Sequence, residues 1–122
     1  MESLRRQEDF KYCYEKGKNI ANRYLVLYVC ERRSDPGNEK DEKQADGNRV
    51  GISVSKKIGN SVVRHRIKRR IKESYRCNER GFNSGLDLVI VARRLTAEAD
   101  YKEIESALLS LGARAKIWQK KD

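Results

Sequence analysis

Residues 50–76, VGISVSKKIGNSVVRHRIKRRIKESYR, predict a strand, a turn and a helix in immediate succession. Over residues 50–54, valine and isoleucine alternate with glycine and serine, the period-two pattern of a strand with one apolar face. Asn60 is a favourable N-cap for a helix over residues 61–77. One face of that helix consists of apolar or small residues: Val63, Ile67, Ile71 and Ser74. The segment therefore indicates an amphipathic helix that directly follows a strand.

The opposite face of this helix is basic. Residues 56–76 contain nine lysines or arginines and a single acid, Glu73. Like-charged pairs four residues apart, such as Lys68 and Lys72, each destabilise a helix by roughly 0.2–0.5 kcal/mol. Positive charge near the N-terminus also opposes the helix dipole. A face that is merely solvated usually mixes charges, so this pattern favours binding to a polyanion.

The whole chain shares this basic character. Its 122 residues carry a net charge of +10, and 38 % of them are charged. The length suits one domain over residues 1–122 with a modest core. A small domain needs far less charge for solubility, so the excess indicates nucleic acid or an anionic membrane surface as the partner.

Other features of the chain favour nucleic acid over a membrane. The longest apolar-rich run, Tyr24 to Cys30, is too short to cross a bilayer, and the N-terminal residues lack the apolar core of a signal peptide. Cys13, Cys30 and Cys77 are scattered without a CxxC motif, which fits a reducing compartment. His65 is the only histidine. We therefore expect a cytoplasmic protein without a disulfide framework or a metal site.

The remaining elements follow from apolar periodicity and from glycine, proline and capping signals. They are a helix over residues 4–16, strands over 20–32, 50–54 and 86–91, and helices over 61–77 and 97–118. The order α-β-β-α-β-α predicts an α+β protein, a two-layer sandwich in which helices cover a small mixed sheet.

Residues 34–48 interrupt this pattern. They contain five acids, two lysines and the only proline of the chain. This composition predicts a mobile acidic hairpin loop between the first two strands. The loop carries a charge of −3, so the rest of the chain carries +13, and the two together give the net charge of +10.

The basic segment also resembles the signature of a known family, the bacterial ribonuclease P protein component. That signature is roughly SxxKKxGNAVxRNRxKRxxRE, and residues 53–73 read SVSKKIGNSVVRHRIKRRIKE. The family's opening helix, EDFxxxYxxG, is similar to residues 8–17, and the resemblance extends over about residues 4–116. His65 departs from the family's usual Asn, and Lys72 replaces a common Arg.

The resemblance implies a subunit of ribonuclease P that helps a catalytic RNA remove the 5′ leader from precursor tRNA. The implied fold is similar to the second domain of ribosomal protein S5. The basic helix and the turn before it would contact the catalytic RNA. The expected RNA-binding residues are Lys56, Lys57, Asn60, Arg64, His65, Arg66, Lys68, Arg69, Lys72 and Arg76. The aromatic lining of a cleft for the 5′ leader would be Phe10, Tyr14 and Tyr28.

The resemblance assigns no catalytic residue and no cofactor to the protein itself. Cleavage of the phosphodiester would depend on Mg²⁺ held by the RNA subunit, with one copy of the protein in the holoenzyme. The sequence agrees, because the basic helix carries no cluster of Asp, Glu or His that could hold two metal ions.

Three other functions are compatible with parts of the sequence. A structural RNA-binding protein, such as a ribosomal protein, would have the same composition but no need for exposed aromatic residues beside the basic helix. A DNA-binding protein with residues 61–77 in a major groove is disfavoured, since a strand and not a helix precedes that helix. A protein-only nuclease would require a carboxylate cluster.

Overall fold

The computed structural model describes residues 1–32 and 47–120. These residues form five strands and three α-helices: β1 (Glu2–Ser3), α1 (Gln7–Lys16), β2 (Lys18–Ala21), β3 (Leu25–Glu31), β4 (Arg49–Ser53), α2 (Ser61–Asn78), β5 (Leu86–Ala92) and α3 (Tyr101–Arg114). Short 3-10 turns follow α2 and precede α3. Within these residues, no helix is long and apolar enough to cross a membrane.

The strands of the described residues form one mixed sheet in the order β1-β4-β5-β3-β2. β4 pairs with β5 in parallel, with Ile52 opposite Ile90, and α2 provides the connection between them. β3 is antiparallel to both β5 and β2. The strand before α2 and the strand after it are therefore neighbours near the middle of the sheet.

The larger core lies between the sheet and helices α2 and α3. Side chains at alternate positions of the three central strands point into it, as expected for a pleated sheet. Its members without exposed area include Leu25, Leu27, Leu88 and Ile90 from the sheet, Ile67, Ile71 and Tyr75 from α2, and Ile104, Leu108 and Leu111 from α3.

A smaller core lies on the other face of the sheet, under α1. Cys13 packs there against Cys30 and Val89, and Leu4 closes one end. Burial raises the pKa of the Cys13 thiol to about 12, and the nearby Cys30 adds to the effect. Cys13 is thus a protonated, small apolar residue at neutral pH.

An ion-paired cluster fixes α1 to the sheet. The guanidinium of Arg49 donates two hydrogen bonds to the carboxylate of Asp87, at 2.8 and 2.6 Å, and lies 3.4 Å from Asp9 of α1. All three side chains are largely buried. Because a buried charge is costly without a partner, this cluster ties the first turn of α1 to β4 and β5.

The predicted α+β class is confirmed, and the two-layer description holds for the larger core. Two differences concern the sheet. α1 adds a partial layer on the opposite face, and the strand predicted over residues 20–32 is two strands, β2 and β3. The side chain of Asn22 makes the break, because its Oδ1 accepts hydrogen bonds from the backbone N–H groups of Tyr24 and Leu25.

The last helix is shorter than the predicted range of 97–118. It begins at a capping box, in which Asp100 and Glu103 each accept from the other's backbone N–H. It ends at Arg114, because Lys116 adopts a left-handed conformation with φ of 62°. A Cβ at Gly112 would lie 2.8 Å from Cβ of Trp118, so glycine allows the returning chain to pack closely.

A hairpin over residues 34–48 would pair the two strands that flank it, and the structure does not pair them. β5 lies between β3 and β4 in the sheet, so the two strands joined by this connection do not pair. Of the predicted loop, residues 34–46 lie outside the described residues. Asn48 is buried, and its side chain donates to the Asn83 carbonyl at 2.7 Å and accepts from the Leu86 N–H at 2.8 Å.

Candidate nucleic-acid interface

The basic segment begins in a tight turn between β4 and α2. The N–H of Ile58 donates to the Ser55 carbonyl at 3.0 Å, which leaves Lys56 and Lys57 exposed at the corner. Asn60 then caps α2 as predicted, since its Oδ1 accepts from the Val63 N–H at 3.0 Å. The cap aligns the first turn of the helix with the end of β4.

Helix α2 separates its apolar and basic residues as the sequence predicts. Ile67, Ile71, Ser74 and Tyr75 have no exposed area. The exposed basic side chains on the outer face are His65, Lys68, Arg69, Lys72 and Arg76. Among the described residues, the first turn of α2 contains no acid. The result is a continuous positive surface that runs from the turn along the helix.

Arg64 and Arg66 differ from the other basic residues because they are half-buried. The Nε atom of each has almost no contact with solvent and no hydrogen-bond partner within the described part of the chain. A buried donor without a partner costs roughly 1–3 kcal/mol. Both side chains therefore carry unused hydrogen-bonding capacity next to the helix N-terminus.

Two arginines of α2 are occupied by contacts within the protein. Arg76, predicted to bind RNA, forms a two-point ion pair with Glu73, in which Nε lies 3.1 Å from Oε2. This pair lowers the pKa of Glu73 below its ordinary value. Arg70 was not predicted to bind RNA, and its Nη1 donates to the Ala99 carbonyl at 2.6 Å. The basic surface is therefore least available at the C-terminal end of α2.

The predicted aromatic residues lie together at the edge of α1. The ring of Tyr14 packs edge-on against Tyr28 of β3, with centroids 4.9 Å apart, and lies 6.4 Å from Phe10. Tyr14 is exposed, whereas Phe10 and Tyr28 are half-buried. The three rings thus form one aromatic cluster between α1 and the sheet.

Gly51 of β4, which is not among the predicted site residues, makes room for the ring of Phe10. A Cβ at Gly51 would lie 2.5 Å from Cζ of Phe10, so only glycine lets the ring rest on the strand. A glycine inside a predicted strand is itself a signal of close approach. The residues that follow Gly51 lead into the basic turn, so β4 connects the aromatic cluster with the basic surface.

The part of the chain that the structure describes contains no group of three or more His, Cys, Asp or Glu side chains that could hold a metal ion. The buried carboxylates of Asp9 and Asp87 are engaged by Arg49. The chemistry available at this surface is therefore electrostatic attraction, hydrogen-bond donation and aromatic stacking.

Comparison with known proteins identifies the family. The family model described as Ribonuclease P matches residues 1–116. The chain belongs to the ribonuclease P protein family. The ribonuclease P protein component of Lachnoclostridium phytofermentans is 51 % identical over 116 residues, which cover 95 % of this chain and 90 % of that protein.

Solved structures of ribonuclease P proteins have the same fold. The protein from Staphylococcus aureus superposes with a TM-score of 0.81 at 31 % identity, over 98 % of this chain and 99 % of that one. The protein from Thermotoga maritima gives a TM-score of 0.77 at 28 % identity, over 93 % and 97 % of the two chains.

Family membership fixes the broad function. The chain is a protein subunit of ribonuclease P, with a role in maturation of the 5′ ends of tRNA. It takes part in an endoribonuclease ribonucleoprotein and has the ribonuclease P RNA as its partner. The alternative of a purely structural RNA-binding protein is not favoured.

Proposed function

We propose that the turn at Lys56 and Lys57 and the outer face of α2 bind the catalytic RNA. The observation that carries this proposal is the positive surface that runs from the turn along the outer face of α2. Phosphate oxygens would accept hydrogen bonds from the exposed lysine and arginine side chains and would offset the repulsion among them. Arg76 contributes least, because Glu73 already holds it.

The cleft beside α1 binds the single-stranded 5′ leader of precursor tRNA. Tyr14 and Tyr28 present ring surface on which bases stack with little sequence preference. Phe10 packs between Gly51 of β4 and the ring of Tyr14. Because a leader differs in sequence from one precursor to another, stacking is better suited to this task than hydrogen bonds to base edges.

Cleavage itself is carried out by the RNA, with Mg²⁺ bound to the RNA subunit. The protein binds no cofactor of its own and acts in the cytoplasm as one copy in each holoenzyme. Its contribution is electrostatic: it screens repulsion between the catalytic RNA and the precursor, positions the leader and lowers the Mg²⁺ concentration that the holoenzyme needs.

Reconstitution at low magnesium tests this function. A 5′-labelled precursor tRNA is incubated with a bacterial ribonuclease P RNA, with the protein, and with both. We expect cleavage at the mature 5′ end only with both components. Cleavage by the protein alone would contradict catalysis by the RNA, and binding without stimulated cleavage by RNAs of two structural classes would contradict the subunit role.

The leader site is tested with a pair of tyrosine variants. Tyr28→Ala should weaken holoenzyme binding of leader-bearing precursor more than binding of mature tRNA, by about 1–3 kcal/mol for a lost stack. Tyr24→Ala is the control, since Tyr24 is also half-buried but packs with the larger core. If Tyr28→Ala weakened binding of precursor and of mature tRNA equally, the assignment of the leader to this cleft would be wrong.

A further inference from the structure

A cavity lined by basic residues lies on the flank of α1 that is opposite Phe10 and Tyr14. It has a volume of about 660 Å³ and is bounded by α1, by β2 and by the chain that follows α3. Tyr12 of α1 and the apolar side chains Ile20, Val29 and Ile117 line it. It is thus separate from both the aromatic cleft and the basic face of α2.

Cations surround this cavity. Lys16, Lys18, Arg114 and Lys116 line it, and Glu31 is the only acid among the described lining residues. The three lysines are exposed and form no ion pair within residues 1–32 and 47–120. Lys16 and Arg114 lie at helix C-termini, where a cation is favourable for the helix alone. That effect does not explain why four cations from three segments converge on one cavity.

The backbone at Lys116 gives an independent observation. The N–H of Ile117 donates to the Gly112 carbonyl at 2.9 Å, and the N–H of Lys116 donates to the Ala113 carbonyl at 3.0 Å. These are the two bonds of a Schellman motif, and Lys116 occupies its left-handed position, where glycine is usual. Lys116 is the only non-glycine residue with a positive φ in the described chain. A lysine thus occupies a left-handed position that strains a residue with a Cβ, and its side chain lines the cavity.

We propose that this cavity is a second RNA-binding site, which holds one nucleotide of a single strand. Its phosphate would lie among the lysines and Arg114, and its base would rest against Tyr12 and the apolar floor. A cavity with cations at the rim and apolar side chains below fits a nucleotide better than it fits an isolated anion. The inference rests on the proposed function, since the RNA is either the catalytic RNA or the precursor.

This site would let the protein hold RNA on both flanks of α1. The aromatic cleft lies on the flank that faces Gly51, and the cavity lies on the flank that faces Cys30 and Leu86. RNA bound at both places would pass the exposed side of α1 or the end of the sheet. α1 would then be a ridge between two RNA contacts and not only a support for the leader cleft.

The test uses Lys18→Gln and Lys116→Gly, singly and together, with Lys102→Gln as the control. Lys102 is equally exposed but lies on α3 outside the cavity. Affinity is measured against salt concentration in two arms: a bacterial ribonuclease P RNA with the protein, and precursor tRNA with the assembled holoenzyme. Each cavity variant should reduce the slope of log affinity against log salt by about 0.7–0.9, and the control should not.

The arm that responds identifies the source of the nucleotide. A loss in the first arm assigns it to the catalytic RNA, and a loss only in the second assigns it to the precursor. Unchanged affinity and slope in both arms would overturn the proposal. Lys116→Gly should be at least as resistant to unfolding as the parent protein, so its loss of binding would not reflect misfolding. If it fails to fold, Lys16→Gln replaces it.

Arg66→Ala is included in both arms so that the two proposals can fail separately. If Arg66→Ala weakens RNA binding and the cavity variants do not, α2 binds RNA and the cavity does not. If the cavity variants weaken binding and neither Arg66→Ala nor Lys68→Ala does, the cavity stands and the assignment of α2 is wrong.

Discussion

Helices α2 and α3 pack side by side on the same sheet, but their charges follow opposite rules. α3 begins with the capping box of Asp100 and Glu103 and has Arg114 in its last turn, an order that complements the helix dipole. α2 begins with Asn60, has no acid in its first turn and has Arg64 and Arg66 soon after. Each helix buries three large side chains completely. The difference therefore lies only in the exposed faces.

This contrast separates stability from function. The order of charges in α3, acidic at its start and basic at its end, stabilises the helix itself. The arrangement in α2 is unfavourable for the isolated protein, because like charges repel and oppose the dipole. It becomes favourable only when a polyanion neutralises the outer face. A helix whose charges destabilise it in the isolated protein thus marks the surface where the partner binds.

The largest effect should be the same for both helices. Ile71→Ala in α2 and Leu108→Ala in α3 each remove a side chain without exposed area, and each should lower the free energy of unfolding by about 2–5 kcal/mol. Urea denaturation measures both. If one substitution cost less than about 1 kcal/mol, the two helices would not contribute equally to the core, and the contrast would not be confined to their outer faces.

Removal of cations should distinguish the helices. Arg66→Ala and Lys68→Ala in α2 should each weaken binding of the catalytic RNA by about 1–2 kcal/mol. The slope of log affinity against log salt should fall by about 0.9 for each lost phosphate contact. Lys102→Ala in α3 is the matched control and should change neither quantity. Equal effects in the two helices would mean that net charge alone determines binding.

Exchange of the two N-caps should change stability and binding in opposite directions. Asn60→Asp keeps the cap but adds an anion at the N-terminus of α2, so the protein should gain about 0.3–1 kcal/mol of stability and lose affinity for RNA. Asp100→Asn should lose a similar amount of stability in α3 and leave RNA binding unchanged. Thermal unfolding and filter binding test both, and tighter RNA binding by Asn60→Asp would contradict an anionic partner at this end of α2.

The central part of the fold could be predicted from the sequence because strong local signals agree there. For α2, the cap at Asn60, the apolar spacing and the charge pattern all give the same boundaries and the same faces. The break after β2 was not predicted, because Asn22 makes it with a side-chain hydrogen bond and no glycine or proline marks it. The end of α3 was missed for a similar reason, since Lys116 stands where a glycine would signal the stop.

The candidate sites could be predicted to different extents. The basic face of α2 lies in one continuous segment, so its residues are visible in the sequence. The aromatic residues come from two elements, and only the resemblance to the family brought Phe10, Tyr14 and Tyr28 together. The basic cavity beside Tyr12 was not predicted, because its lining comes from segments about a hundred residues apart that meet only in the folded chain.

The smallest effect concerns the one acid within the basic segment. Glu73 pairs with Arg76, and the pair lowers the pKa of Glu73 from its ordinary value of 4.5. Any stability from this pair is present above that ordinary value and is lost as the pH falls through the lowered pKa. Both side chains are well exposed, so the contribution to stability should be small.

Glu73→Gln should therefore release Arg76 for phosphate binding. We expect tighter binding of the catalytic RNA and a salt dependence steeper by at most about 0.9, the value for one added phosphate contact. Glu98→Gln is the control, because it removes the same charge from an exposed site outside α2. If both variants gain equally, net charge is the cause. If only Glu73→Gln binds the RNA more tightly, the ion pair with Arg76 is what restricts the basic surface at the C-terminal end of α2. The charges of α2 would then serve RNA binding along the whole helix, unlike those of α3.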